Sequence, residues 1–593
     1  MCGICFYLSY KEEKCDSTNH FELIKHRGPD KTIKLLPKFD DLNIVLMFHR
    51  LAINDVSDNG NQPFIYKNED RQIILMCNGE IYNYKKLFKD HLQDMIINGQ
   101  IKGSHRQISN SDCEVIIPLY LKYGINKTVD LISNNEFAFI LLDINKTTLS
   151  FHCSRDVAGI RPMFYYKSTS SVSSKSLLVS SKNHSQNHSQ NYSLSFGFCS
   201  ELKGLLYQKE KINIFPPGNI LTTDIYYNEK KEMKMMTTIT PYYNYLYKTI
   251  NYSTIEIICE KIRTSLIESV NEKLISDRPI GCLLSGGLDS SLITSIASFL
   301  LKNQNKDKHL IQDKSYRLRT YTIGMEKGTD IKYAEMVAKY IDSNHTTFYI
   351  KEEEALQVIP KVIKAIETYD ITTIRASIFQ YLLAERIAKN TDTKVILNGD
   401  GSDEITMGYL YFHNVPNPEE GQKETVRLLK EIHKYDVLRV DRTISNFGIE
   451  SRVPFLSKNF IDTYMNIDPK LKIPYILGGK KIEKYLLRKS FEDMKLLPTE
   501  VLWRRKEALS DGVSGERSWF QILQEYIDKL ITDKEYKENK DKYVHNTPIS
   551  KESYYYRKLF EEYFPNSEHI INNMWLPKWS DSNDPSARTL TLY

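Results

Sequence analysis

Three short stretches carry residues able to do chemistry. Met1-Cys2-Gly3-Ile4 puts a cysteine where loss of the initiator methionine makes it the first residue. A thiol beside its own α-amine is a good catalytic pair, because an amine with a pKa of roughly 7.7–8.0 acts as base and then as acid near neutrality. Such a thiolate attacks a carboxamide, forms a thioester and releases ammonia. Ser285-Gly286-Gly287-Leu288-Asp289-Ser290-Ser291 supplies hydroxyl and backbone donors beside one carboxylate. It is not the Walker loop, since G-x-x-x-x-G-K-[ST] occurs nowhere in the chain. Asn398-Gly399-Asp400-Gly401-Ser402-Asp403-Glu404 forms a third, acidic stretch.

The elements around these stretches say how they are positioned. Ile280-Gly281-Cys282-Leu283-Leu284 is an apolar run that reads as a buried strand, and Leu292 to Leu300 has apolar residues at helical spacing. Strand, glycine-serine loop and helix together aim backbone N–H groups at an anion. The strands Tyr321 to Gly324 and Lys394 to Leu397 likewise run into loops. Apolar strands alternating with helices predict a doubly wound, mostly parallel sheet with ligands beyond the carboxyl ends of its strands. On the helix after Asp330, Tyr333, Val337 and Tyr340 share a face and read as core.

In the first half, Ile44 to Met47 is a strand delivering Phe48-His49-Arg50-Leu51-Ala52-Ile53-Asn54, and Ile73 to Met76 is a strand delivering Asn78-Gly79-Glu80. His26-Arg27-Gly28-Pro29-Asp30 reads as a turn, and Ser111-Asp112-Cys113-Glu114 as a helix start with an N-cap serine. Each has a plain structural reading: Arg50 in a surface ion pair, Asn78-Gly79 as a hairpin turn, Asp112 as a helix cap.

Bulk properties narrow the classes. The 593 residues suggest two large domains with extra loops. With 80 basic and 75 acidic residues the net charge is +5, so no domain is basic enough to suggest nucleic acid. No stretch of about 18 apolar residues predicts a membrane span, and the start is unlike a signal peptide. Nine scattered cysteines favour a reducing compartment. The expectation is a soluble, cytoplasmic protein.

In their order, the Cys2, His26–Asp30, Arg50, Asn78–Glu80 and Asp112 segments resemble the class II glutamine amidotransferase domain, an N-terminal nucleophile hydrolase with an αββα sandwich. Strands at Phe137 to Leu142 and Leu149 to Cys153 suit that fold. The resemblance implies Cys2 as nucleophile and Asn78 with the Gly79 N–H as oxyanion hole. It further implies Arg50 as clamp on the glutamine α-carboxylate, with Leu51, Ala52, Ile53 and Asn54 beside it. Glu80 and Asp112 would accept from the α-ammonium.

The loop at 285–291 resembles the pyrophosphate loop of the ATP pyrophosphatases. Glu367 to Ser377, Gly401 to Glu404, Gly408 to His413, Asp436 to Arg442, Glu450 to Leu456, Glu483-Lys484, Leu502 to Glu507 and Asp584 to Thr591 are similar to the asparagine synthetase family. What this implies is adenylation of the aspartate β-carboxylate by ATP and magnesium, then displacement of AMP by ammonia drawn from glutamine. Leu284, Ser285, Gly286, Gly287, Asp289, Ser290, Ile323, Gly324, Asn398 and Gly399 would bind ATP, and Asp289 the metal. Lys484, Glu367 and Asp400 would be catalytic; Asp400 stands where the family usually has the longer glutamate.

The resulting layout is a glutaminase domain at 2–225, with a disordered Ser/Asn-rich insert at about 168–195. A linker at 226–252 and a doubly wound α/β synthetase domain at 253–593 complete it. A second surface insertion is expected at 302–314, and a homodimer fits. A β-lactam synthetase shares both domain types but needs no terminal cysteine. A pseudoenzyme acting as a regulatory module has no reason to keep Cys2, Arg50, Asp112, Asp289 and Lys484 together.

Overall fold

A computed structural model describes residues 1–10, 17–97, 109–169, 194–208, 211–227, 233–304, 317–506, 512–514 and 517–580. The expected insert at 168–195 lies almost wholly outside the described residues, as do most of the insertion at 302–314, Glu507 and the tail 584–591.

The first half is built on two stacked antiparallel sheets. In one, Gly3–Tyr10 is central, between Leu42–Arg50 and Leu194–Cys199. In the other, Arg71–Glu80 pairs with Glu136–Asn145, which pairs with Thr148–Arg155. Period-two alternation decides the core: Ile4, Phe6 and Leu8 face Ile74, Met76, Ile140 and Phe151 between the sheets. The Phe6 and Phe151 rings meet edge-on at 5.2 Å. Ile73, Leu75, Phe137 and Phe139 face outward, under the helix Ile116–Ile132. Cys2 and Cys5 have C-x-x-C spacing, but neither is in a disulfide, and residues three apart along a strand face opposite sides.

The stretch 226–252 is not simply a linker. Met233–Pro241 pairs antiparallel with Asn219–Tyr227 and forms the edge of the second sheet. Its outer face is solvated, which is why its polar composition hides a strand. Ser111 also departs from expectation. It precedes a 3-10 turn, Asp112–Val115, without a side-chain capping hydrogen bond.

The second half holds a five-stranded parallel sheet. Its order is Asn344–Tyr349, Arg319–Gly324, Ile280–Leu283, Val395–Leu397, Glu450–Arg452. The chain leaves Ile280–Leu283 toward one edge, then returns to its other side at Val395. That reversal opens a crevice between the ends of these two strands. Helices Leu288–Gln304, Thr329–Tyr340 and Ile371–Asn390 pack around the sheet. Val337 is core as expected, whereas Tyr340 is 50% exposed and donates to Lys495 O at 2.7 Å. The two halves share one continuous apolar core running from Tyr7 and Phe164 into the parallel sheet.

Candidate active sites

Cys2 stands at the head of the central strand of the first sheet. Its N–H donates to Asn78 Oδ1 at 2.9 Å, and Leu51 N–H donates to its Sγ at 3.4 Å. Arg27 Nε donates to Cys2 O at 3.1 Å. Burial pushes the thiol pKa up, against the N-terminal ammonium and the Leu51 hydrogen bond, which lower it. Asn78 is fully buried, and its Nδ2 has no hydrogen-bond partner. An orphaned amide donor beside a thiol is what an oxyanion requires. A Cβ on Gly79 would lie 2.3 Å from Glu136 O, so only glycine lets the strand come this close to its neighbour.

Two carboxylates converge on Asn54, three residues beyond Leu51. Asn54 Nδ2 donates to Glu80 and, at 3.3 Å, to Asp112; Ile81 N–H also donates to Asp112. Glu80 is raised well above the usual carboxylate range by burial, by Asp112 and by Glu450, with Arg452 opposing. Burial raises Asp112 as well. Two buried like charges in this state gain from an arriving cation. Arg50 is buried, with its terminal nitrogens on Ser57 O at 2.7 Å, Asn61 Oδ1 at 2.8 Å and Asp55 O. Its fork is thus braced by its own loop. Ala52 N–H is tied to Asp30 Oδ2 at 2.8 Å, and Ile53 O accepts from Asp277 N–H at 3.1 Å.

The second site is a cavity of about 350 Å³ in the crevice of the parallel sheet. Leu284, Ser285, Gly287, Asp289, Ser290, Ile323, Asn398, Gly399, Asp400 and Lys484 all line it. Gly286 and Gly324 do not. Gly286 turns the loop at φ +77° and gives its carbonyl to Arg504 at 3.0 Å, while Gly324 O accepts Ile350 N–H in the sheet. Ser290 Oγ lies 2.9 Å from Ser285 Oγ and accepts the Ser285 N–H at 3.1 Å.

Charge pairs ring this cavity. Lys484 Nζ meets both Asp289 oxygens at 2.7 and 2.6 Å and Asp403 at 2.6 Å. It reaches them over Gly408, where a Cβ would lie 2.0 Å from its Cε. Lys484 holds left-handed backbone at φ +60°, a conformation that non-glycine residues adopt where the surrounding structure enforces it. Ser402 donates to Asp289 at 2.8 Å, and Lys506 pairs with Asp403. Lys484 and Lys506 hold Asp403 well below the usual carboxylate range despite its burial. Arg439 pairs with Asp400 and, at 2.8 Å, with Asp436; burial outweighs this and raises Asp400.

Among the described residues no group of three or more His, Cys, Asp or Glu side chains is arranged to hold a metal by itself. Asp289 and Asp400 do face one cavity and feel each other's charge. Two carboxylates completed by phosphate oxygens and water suit magnesium, which rarely occupies an all-protein cage.

Glu367 is not part of that cavity. Its oxygens accept Leu202 and Lys203 N–H at 3.0 Å each, and Arg442 lies at 3.3 Å. It lines a smaller cavity of about 30 Å³ on the seam between the halves, and Tyr435 borders both cavities.

That seam carries buried charge from end to end. Arg27 reaches Glu201 at 2.7 Å and Asp441 at 2.7 Å, and Glu136 pairs with Arg161 at 2.8 Å. Arg452 pairs with Glu450 at 2.8 Å and lies 3.5 Å from Glu80. None of these seam roles is visible in the sequence, because partners such as Arg27 and Asp441 lie hundreds of residues apart. Arg504 and Lys506 had a signal: the run Trp503-Arg504-Arg505-Lys506 is basic and the second site anionic in its ligands.

Family comparison follows the same division. A family model described as asparagine synthase matches residues 261–423 and 413–583, and one described as a glutamine amidotransferase domain matches residues 1–235. The chain is similar to the asparagine synthetase (glutamine-hydrolysing) of Rattus norvegicus, at 39% identity over 615 residues. It is similar to those of Homo sapiens, at 38% over 615 residues, and Gallus gallus, at 37% over 621. Each alignment covers 100% of this chain and 99% of the relative. A solved glutamine phosphoribosylpyrophosphate amidotransferase of B. subtilis gives a TM-score of 0.27 at 12% identity, covering 58% of this chain and 80% of that one, too low to bear on the argument.

Proposed function

The chain belongs to the glutamine-hydrolysing asparagine synthetases, and from that premise we propose how its residues divide the reaction. The enzyme is a ligase that makes asparagine from aspartate and ATP with glutamine as nitrogen donor. We read the first half as an N-terminal nucleophile hydrolase. Loss of Met1 frees the Cys2 α-amine, which takes the thiol proton. The thiolate attacks the glutamine δ-carbonyl; the carbon–nitrogen bond breaks, ammonia leaves, and water hydrolyses the thioester to glutamate. Asn78 Nδ2 and the Gly79 N–H stabilise the oxyanion. Glu80 and Asp112 hold the substrate ammonium and Arg50 its carboxylate.

At the second site the aspartate β-carboxylate attacks the α-phosphorus of ATP, pyrophosphate leaves, and ammonia displaces AMP from the β-aspartyl adenylate. Ser285, Gly287 and Ser290 face the phosphates with Lys484. Asp289 and Asp400 would hold magnesium, which when bound spreads the phosphate charge. Glu367 stands on the seam, where it and Tyr435 line the smaller cavity.

One observation carries this reading: Asn78 holds Cys2 with its oxygen and keeps a buried nitrogen unpartnered. Its test is stoichiometry. With aspartate, ATP, magnesium and glutamine, the enzyme is expected to release one pyrophosphate per asparagine. No aspartate-dependent pyrophosphate from either glutamine or ammonium would sink the assignment.

A further inference from the structure

Charge lines only part of the nucleotide cavity. Trp575 and Pro577 line it as well, with Tyr409, Leu410, Tyr411 and Tyr435. Trp575 is buried, its ring centroid 5.5 Å from that of Tyr409 and 6.3 Å from that of Tyr411. It belongs to a stretch, 571–577, that forms neither helix nor strand. Such a stretch keeps one course only when its backbone groups find partners elsewhere. Here Trp575 N–H donates to Asp370 Oδ2 at 2.7 Å, Tyr435 Oη to Asn573 O at 2.9 Å, and Asn546 Nδ2 to Ile571 O at 2.7 Å. Asp370 Oδ1 accepts Thr373 N–H at 2.8 Å and caps the helix Ile371–Asn390, whose Thr372, Thr373 and Arg375 also line the cavity. One carboxylate thus sets the aromatic wall in register with that helix.

We propose that the stretch 571–577 is the wall that keeps water off the β-aspartyl adenylate, and that Trp575 is the residue on which this wall depends. This deepens the reading above and rests on it. The adenylate is a mixed anhydride, open to water as well as to ammonia. It survives until ammonia arrives only where water is excluded from its carbonyl. The apolar rings of Trp575 and Pro577 offer water no strong hydrogen bond there. Trp575 itself makes and breaks no bond. Without its ring, water attacks the β-carbonyl carbon, the bond from that carbon to the AMP oxygen breaks, and aspartate, AMP and a proton are released with no asparagine formed.

The test is a ratio and a label. The full chain is given aspartate, ATP, magnesium and saturating ammonium in water enriched in 18O, and pyrophosphate, asparagine and labelled aspartate are measured. Wild type is expected to release one pyrophosphate per asparagine and to leave aspartate unlabelled. Trp575→Ala is expected to release several-fold more pyrophosphate per asparagine, with 18O entering the aspartate β-carboxylate and none entering AMP. Trp575→Phe, which keeps an aromatic plate, is expected to restore the ratio. Tyr435→Phe, which releases Asn573 O, is expected to raise the ratio and serves if Trp575→Ala does not fold. A ratio of one in folded Trp575→Ala, with pyrophosphate and asparagine falling together, marks a merely structural tryptophan and overturns the proposal. A ratio of one in Tyr435→Phe does the same where that variant stands in. If the wild type releases no aspartate-dependent pyrophosphate, the reading of the second site fails instead.

Discussion

The two sites meet charge in opposite ways. Around Cys2 the structure leaves a buried amide nitrogen on Asn78 without a partner and crowds two hydrogen-bonded carboxylates, Glu80 and Asp112, both raised by burial. Around Asp289 nearly every charge already has a partner in Lys484, Lys506 or Arg439. The difference teaches that the first site is preorganised for its ligand, whereas a ligand phosphate at the second must compete with internal ion pairs. Rigid antiparallel strands carry the first, and loops at strand ends carry the second, in keeping with those tasks.

The largest effect expected to break this contrast is at the loops. Asp289→Asn should lower asparagine synthesis from either nitrogen source by ~10²–10³-fold, the scale of one lost electrostatic contact in a transition state. Glutamate formation should be unchanged; a parallel loss would mean the sites are not separable. Asn78→Ala should lower the kcat of glutamine hydrolysis by ~10²–10³-fold and spare ammonium-dependent synthesis. An unchanged kcat would remove Asn78 from the oxyanion hole. Glu80→Gln should act on recognition, raising the KM for glutamine by ~10-fold or more, the worth of a charge-assisted hydrogen bond. A change confined to kcat would contradict the ammonium-binding role.

The smallest effect is one of stability. Burial would raise Glu450, but the Met1 ammonium and Arg452 more than offset it and hold it down at about 2. A depressed carboxylate pKa stabilises fully above its unfolded value of about 4.3, and that contribution is lost as pH falls from there toward 2. The share of that offset due to the Met1 ammonium, 3.2 Å from Glu450 Oε2, exists only while Met1 is retained. Melting temperatures of retained and processed chains between these pH values should therefore fall more steeply for the retained chain. Equal slopes would deny the Met1–Glu450 pair its role.

The nucleotide cavity was legible because its residues cluster in motifs at strand ends, where topology alone brings 285–290 and 398–400 together. Cys2, Asn78 and Asp112 were singled out by their order and its resemblance to an amidotransferase domain, and the fold brings Cys2 and Asn78 into contact. Arg50 was recognisable, yet the bracing of its fork by Asp55 and Ser57 depends on loop geometry. Glu367 looked like a member of the adenylate site, but its left-handed backbone at the end of its helix turns the carboxylate toward Leu202 and Lys203. The edge strand Met233–Pro241 was missed because one solvated face leaves weak alternation. The pairs that cross the seam, Arg27 with Asp441 and Arg452 with Glu80, left no local trace, since each partner is supplied by the other half.

The most direct measurement of the central claim compares Cys2→Ala with wild type for asparagine formation from glutamine and from ammonium. The account predicts that Cys2→Ala loses use of glutamine by at least ~10³-fold, as expected for a missing nucleophile, and keeps use of ammonium. Loss of both, or retention of both, would contradict a chain that makes ammonia at one site and spends it at another.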